Sequence, residues 1–207
     1  MTARPPVHPA VDADPLERRS LPVVAMAASA GGPNAVASVL QGLEGLPAAI
    51  IVVQHIQPQF LNGFVEWMQR ASTMSVRVAA DGMRLQPATV YVGPSGRHVR
   101  LTMGRRIVLG EDPDVTHRPS ADELFISVAA HAGASAIGVL LTGMGDDGAR
   151  GLLQIRRRGG ITIVQDEGSS AVYGMPGAAV KLEAAQAVLP LDQIPAAIRR
   201  AARKVRP

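Results

Sequence analysis

Val23-Val24-Ala25-Met26-Ala27-Ala28-Ser29-Ala30-Gly31-Gly32-Pro33 decides the fold. Six apolar residues without alternation read as a strand buried on both faces, the habit of a parallel strand covered by helices on either side. The run stops at a hydroxyl, two glycines let the chain turn tightly, and Pro33 suits the first turn of a helix. A strand, turn and helix in that order open a βαβ unit. They set Ser29 at the carboxyl end of the strand, where open α/β sheets bind their ligands.

The same pattern recurs twice downstream. Ile50-Ile51-Val52-Val53-Gln54-His55 ends on an imidazole, and Val139-Leu140-Leu141-Thr142-Gly143-Met144-Gly145-Asp146-Asp147-Gly148 ends on two carboxylates among glycines. Further strands are predicted over 76–79, 135–141, 161–165 and 187–189, and helices over 33–41, 60–70, 120–131, 148–158, from 176 and from 195. Ser120 and Glu123 have the spacing of a capping box at the start of the 120–131 helix. Short β runs at 89–92, 99–103 and 106–109, separated by turn residues, predict a hairpin or meander inserted in the alternation. The class is therefore α/β: a doubly wound, mainly parallel sheet with helices on both faces and an inserted β-hairpin or meander.

Composition agrees. The 207 residues are 47% hydrophobic with only 3% aromatic, so the core is built from Ala, Val, Leu and Ile, as in covered parallel sheets. There is no cysteine, which excludes a disulfide framework, a thiol nucleophile and a Cys-based zinc site, and points to a reducing cytoplasmic setting. No apolar run approaches the roughly 18 residues of a membrane span, and residues 1–20 lack the apolar core of a signal peptide. Those first residues, with four prolines and no periodicity, predict a disordered leader before one domain over 21–207. The net charge is +4 and lysine occurs only at Lys181 and Lys204, so arginine dominates a surface suited to acidic partners. Nucleic acid is a poor candidate partner, because three Phe, two Tyr and one Trp leave little for base stacking.

Ser29, His55 and one of Asp146 and Asp147 supply a hydroxyl nucleophile, a base and an orienting acid. Their chain order, Ser, His, Asp, differs from that of chymotrypsin, subtilisin and the α/β-hydrolases, which argues for an unrelated fold. The helix that follows Ser29 presents its amino end, so backbone amides around Ala30 can meet a developing oxyanion. Ser29 alone would read equally as a helix cap, and the glycine spacing fits neither a dinucleotide fingerprint nor a P-loop. His8, His98, His117 and His131 have weaker claims than His55. Two adjacent carboxylates lack the ligand set of a Ca²⁺ or Mg²⁺ site, and no cofactor or metal is expected. Arg156-Arg157-Arg158 and the cluster Arg199, Arg200, Arg203, Lys204 and Arg206 read as solvated helix ends.

Six segments in order resemble the catalytic domain of the bacterial chemotaxis protein-glutamate methylesterases, the CheB family, over roughly residues 20–190. They are Ala28-Ser29-Ala30-Gly31-Gly32-Pro33, Val53-Gln54-His55, Val90-Tyr91-Val92-Gly93-Pro94-Ser95-Gly96-Arg97-His98, Arg118-Pro119-Ser120-Ala121-Asp122-Glu123-Leu124-Phe125, Leu141-Thr142-Gly143-Met144-Gly145-Asp146-Asp147-Gly148-Ala149, and Gln165-Asp166-Glu167 followed by Tyr173-Gly174-Met175-Pro176. The family usually carries threonine where this chain has Ala30. The resemblance implies Ser29, His55 and Asp147 as the catalytic triad, with Asp146 the spare, and the Ala30 and Met144 amides as the oxyanion hole. It puts His98 and Met175 near the cleft as candidate substrate-binding residues, Met175 reading equally as core filling, and Arg97 and Arg118 are candidate substrate-binding cations for acidic receptor faces. The implied reaction removes methyl esters from glutamates on the cytoplasmic helices of chemoreceptors, releasing methanol. Several members of the family also deamidate receptor glutamines. No membrane insertion is implied. Family members often carry an amino-terminal receiver domain; only about 20 residues precede the first strand, so a stand-alone catalytic domain is expected, with control left to a separate regulatory protein, to expression or to the leader. Two other readings stay open: a catalytically inert receptor-binding scaffold of the same fold, and a small-molecule carboxylesterase.

Overall fold

Val23–Ala28 forms β1 with no exposed surface at any of its six positions in the computed structural model, which describes residues 21–111 and 117–205. The leader expected over 1–20 lies outside the described residues, as does Arg206. After β1 come α1 (Gly32–Gln41), β2 (Ala49–Gln54), α2 (Leu61–Ala71), β3 (Ser75–Val78), β4 (Thr89–Val92), β5 (His98–Leu101) and β6 (Ile107–Gly110). The second half carries α3 (Ala121–Ala132), β7 (Ala136–Leu140), α4 (Ala149–Arg157), β8 (Ile161–Gln165), α5 (Met175–Lys181), β9 (Ala187–Leu189) and α6 (Ile194–Val205).

Seven strands form one sheet in the order β3-β4-β2-β1-β7-β8-β9, and every neighbouring pair is parallel. Alternate residues of the central strands feed two separate cores. Val24, Met26, Ile50 and Val52 pack with buried residues of α1, α2 and α6. Val23, Ala25, Ile51 and Val53 pack with those of α3, α4, α5 and the β5–β6 hairpin. Burying a Val or Ile side chain stabilises by roughly 1.5–3 kcal/mol, and truncating one such as Ile51 to Ala costs about 2–5 kcal/mol. Burial on both faces is why these strands read as continuous apolar runs.

One sequence expectation changes. Thr89–Val92 belongs to the main sheet between β3 and β2, so the insertion is only the antiparallel pair β5–β6. All four residues of β4 are buried, the mark of a sheet interior rather than of a half-exposed meander. Two of the basic residues expected to be solvated also have partners: Arg199 Nε donates to the Gly42 carbonyl at the end of α1, and Arg156 to the Glu183 carbonyl beyond α5.

β1 is followed in the sheet on one side by β2 and on the other by β7. The winding reverses there, and at such a switch point the loops leaving the strands' carboxyl ends part to leave a crevice. Ser29 leaves β1, His55 leaves β2, and Thr142-Gly143-Met144 leaves β7.

Candidate active site

Ser29 and His55 each stand one residue beyond the last register pair of β1 and β2, Ala28 with Gln54, and the His55 amide donates to the Ala28 carbonyl at 3.0 Å. The Ser29 amide donates across to the Thr142 carbonyl at 3.0 Å, tying the Ser29 backbone to the exit of β7. Close approach there requires glycine: a Cβ on Gly143 would lie 2.8 Å from Ser29 Cβ and 2.2 Å from Met175 Sδ. After Ser29 the chain turns through Gly31 at φ +77, a left-handed conformation that favours glycine, and α1 starts. Thr142 Oγ1 donates to the Ala30 carbonyl at 3.0 Å and accepts from the Val172 amide at 2.9 Å.

Asp147 is 8% exposed, yet all four of its lone-pair sites are filled. Oδ2 accepts from His55 Nε2 at 2.9 Å and the Ala121 amide at 2.7 Å. Oδ1 accepts from Ser120 Oγ at 2.8 Å and the Asp122 amide at 3.0 Å. Ala121 and Asp122 open α3, so the carboxylate sits on the positive amino end of that helix, where amides have no intrahelical acceptor. Burial pushes the Asp147 carboxyl up, but the bond from His55, the two amides and the Ser120 hydroxyl outweigh it and hold it at about 2. An ionised carboxylate only accepts, so His55 Nε2 carries the proton and Nδ1 is left as the basic nitrogen of the neutral ring. The His55 ring stacks on His117, with centroids 4.7 Å apart and planes 11° from parallel.

The structure thus brings His55 and Asp147 into direct contact and places Ser29 at the neighbouring strand exit, where its hydroxyl makes no hydrogen bond among the described residues. The Ala30 and Met144 amides likewise donate to nothing among the described residues, and both residues are exposed. Asp146 is exposed and its carboxylate touches none of these groups. Two hollows flank the exits. One of 420 Å³ is lined by Gly145, Tyr173, Gly174 and Lys181, the other of 310 Å³ by Pro33, Ile56, Phe60 and Trp67.

The expected substrate-binding residues fare differently. His98 has no exposed surface: its Nδ1 accepts from the Ser120 amide at 3.2 Å, so it sits beneath the acid's support instead of lining the cleft. Met175 is also fully buried, packed against Gly143, and fills core. Arg97 is half-buried, and its guanidinium donates to the Leu109 carbonyl at 2.8 Å, within the hairpin. Arg118 is exposed, and its side chain has no partner among the described residues. The expected capping box is half formed. Ser120 Oγ accepts from the Glu123 amide, but the Glu123 carboxylate pairs with Arg100 Nε at 2.7 Å. Among the described residues no group of three or more His, Asp or Glu gathers as a metal site.

Sequence reasoning ranked His117 below His55 and gave Thr142, Ser120 and Gln54 no part in the site. Only Ser120 carried a signal, as a helix cap, and that signal did not point to Asp147.

The model of the CheB methylesterase family matches residues 24–198. The chain belongs to the CheB methylesterase family. Within it, the chain is 48% identical over 176 residues to protein-glutamate methylesterase/protein-glutamine glutaminase 2 of Xanthomonas oryzae pv. oryzae, covering 83% of this chain and 49% of that protein. It is 46% identical over 197 residues to protein-glutamate methylesterase FrzG of Myxococcus xanthus, covering 94% of this chain and 58% of that one. The chain spans about half the length of these curated relatives. The crystal structure of the Thermotoga maritima CheB methylesterase catalytic domain superposes with a TM-score of 0.84 at 31% identity, covering 87% of this chain and 98% of that one. The CheB fold and the seven-stranded α/β sheet described above are therefore one architecture.

Proposed function

We propose that this chain is a serine hydrolase that removes methyl esters from glutamate side chains of chemoreceptors. The observation that carries it is the His55 Nε2 to Asp147 Oδ2 bond beside Ser29, a base oriented by a buried, saturated carboxylate next to an unengaged hydroxyl. His55 Nδ1 takes the proton as Ser29 Oγ attacks the ester carbonyl carbon. Asp147 stabilises the imidazolium that forms, and the Ala30 and Met144 amides receive the oxyanion. The C–O bond to methoxide then breaks, and His55 returns the proton so that methanol leaves. Water attacks the acyl-enzyme by the same route and releases the glutamate carboxylate. The relatives' names include glutamine glutaminase. The same steps on a carboxamide would release ammonia, with slower attack because an amide carbonyl is less electrophilic than an ester.

The exposed rim suits a protein substrate. Met144, Val172 and Val180 present apolar surface, and Lys181 and Arg118 present cations that complement an acidic helix. No helix among the described residues is long and apolar enough to cross a membrane, and we place the enzyme in the cytoplasm, where receptor methylation sites lie. The test is methanol release from methylated receptor fragments by the purified protein, with short-chain esters in parallel. Wild type should release methanol and Ser29→Ala should not. Release by Ser29→Ala at the wild-type rate would sink the reading, and turnover confined to short-chain esters would make the protein a small-molecule esterase.

A further inference from the structure

Gln54 closes β2 and is 2% exposed, a carboxamide where the rest of the strand is apolar. Both hydrogens of its Nε2 are spent on backbone carbonyls, that of Ser29 at 2.9 Å and that of His55 at 3.1 Å. Its orientation is fixed, because a flipped amide would set Oε1 against two carbonyl oxygens. Oε1 itself is buried with no partner. A methionine of the same volume would remove the stranded Oε1 but also take the donor from the His55 carbonyl, so it exchanges one unsatisfied acceptor for another.

The turn after Ser29 closes directly on this carboxamide. A Cβ on Gly32 would lie 2.2 Å from Gln54 Oε1 and 2.7 Å from Ala28 Cβ. The Gly32 amide also donates to the Ser29 carbonyl at 2.8 Å, so that oxygen receives two donors and its peptide plane is pinned from two sides.

We infer that Gln54 is a positioning residue for the esterase reaction, its NH₂ group bracing the backbones of Ser29 and His55 so that hydroxyl and imidazole keep a fixed separation. This rests on the proposed roles of Ser29 and His55. Gln54 is sealed from solvent and acts only through these two backbones. A displacement near 1 Å at a reacting pair costs about 10²-fold in rate, and a brace on both partners guards against that.

The test compares Gln54→Met and Gln54→Glu with wild type and Ser29→Ala, well below each protein's unfolding temperature. In Gln54→Met, kcat for methanol release should fall about ten- to hundredfold with KM within about twofold. Labelling of Ser29 by a fluorophosphonate should slow by the same factor, since it needs the same attack without any receptor. Gln54→Glu in its protonated form offers one donor and should fall between Gln54→Met and wild type. A residue that only supports the fold would lower the unfolding temperature and leave both rates alone. Folded Gln54→Met with kcat and labelling within twofold of wild type overturns the inference. If neither variant folds, amide exchange in wild type decides. The Gln54 side-chain protons should exchange at least about a hundredfold slower than those of exposed Gln57, and equal rates overturn the inference. Inert Ser29→Ala beside fully active Gln54→Met removes Gln54 alone, whereas active Ser29→Ala removes the reading beneath it.

Discussion

The two ends of the site are built on opposite plans. At the acid end Asp147 is buried and every lone pair is taken by His55, Ser120 or the first amides of α3. At the nucleophile end the Ser29 hydroxyl and the Ala30 and Met144 amides have no partner among the described residues, and the Met144 side chain is 73% exposed. Saturation holds the carboxylate ionised and aims the imidazole. Vacancy leaves the hydroxyl and amides for groups that only the substrate brings. In the proposed reaction, the side-chain acceptors are saturated at the acid, and open side-chain and amide hydrogen-bonding capacity is kept where charge would develop.

Asp147→Asn breaks this contrast most severely. An amide side chain has its own donors, so it cannot fill all four accepting positions, and it lets His55 turn the wrong tautomer towards Ser29. Methanol release should fall by about 10⁴-fold, and Asp146→Asn, whose side chain is exposed and apart, by under about tenfold. Equal losses in the two variants would reassign the acid.

The acid end also predicts a pH signature. Asp147 is held at about 2 against the ordinary 3.8, so the folded state favours its charged form. The resulting stability, about 2 kcal/mol, is fully present above pH ~4 and is lost as pH falls towards ~2. Urea unfolding at pH 6 and at pH 2.5 should show that loss in wild type and a smaller one in Asp147→Asn. The same slope in both proteins would mean the carboxylate is not specially held.

The smallest effect concerns the open end. Ala30 is exposed where the family usually has threonine, so a hydroxyl has room there. Ala30→Thr should raise kcat by roughly fivefold, the worth of one neutral hydrogen bond, if the side chain reaches the oxyanion. Unchanged steady-state kinetics would assign the role to the amide alone, and a fall in kcat would show that the turn is shaped around alanine.

What the sequence made legible follows the same division. Strands buried on both faces announce themselves as apolar runs, and the change of chemistry beyond them is visible: Ser29 and His55 directly after β1 and β2, and the Asp146-Asp147 pair in the glycine-rich loop that follows β7. β1, β4, β8 and β9 fell where their runs suggested, while assigning β4 to a meander failed because a four-residue run does not say which strand it will pair with. The support of the acid was not legible. Ser120 has the spacing of a helix cap, and only the packing of α3 against α4 turns its hydroxyl onto Asp147. His98 and Met175 sit in motifs that resemble site segments, yet they support the site from inside the core. Gln54 and Thr142 act through carbonyl oxygens, which every residue possesses, so no pattern of side chains could reveal their partners.

The bond between His55 and Asp147 joins residues 92 positions apart, and the acid reaches it only when β7 has docked on β1 and α3 has closed over it. The proposed turnover thus requires both halves of the sheet and reports their assembly. During refolding, secondary structure and much of the β1, β2 and β4 core could form while methanol release stays at background. The interval between recovery of helical signal and recovery of activity would then time the docking of the second half of the sheet. A fragment ending before Ala136 would hold the hydroxyl and the imidazole yet stay silent until the missing half is supplied in trans.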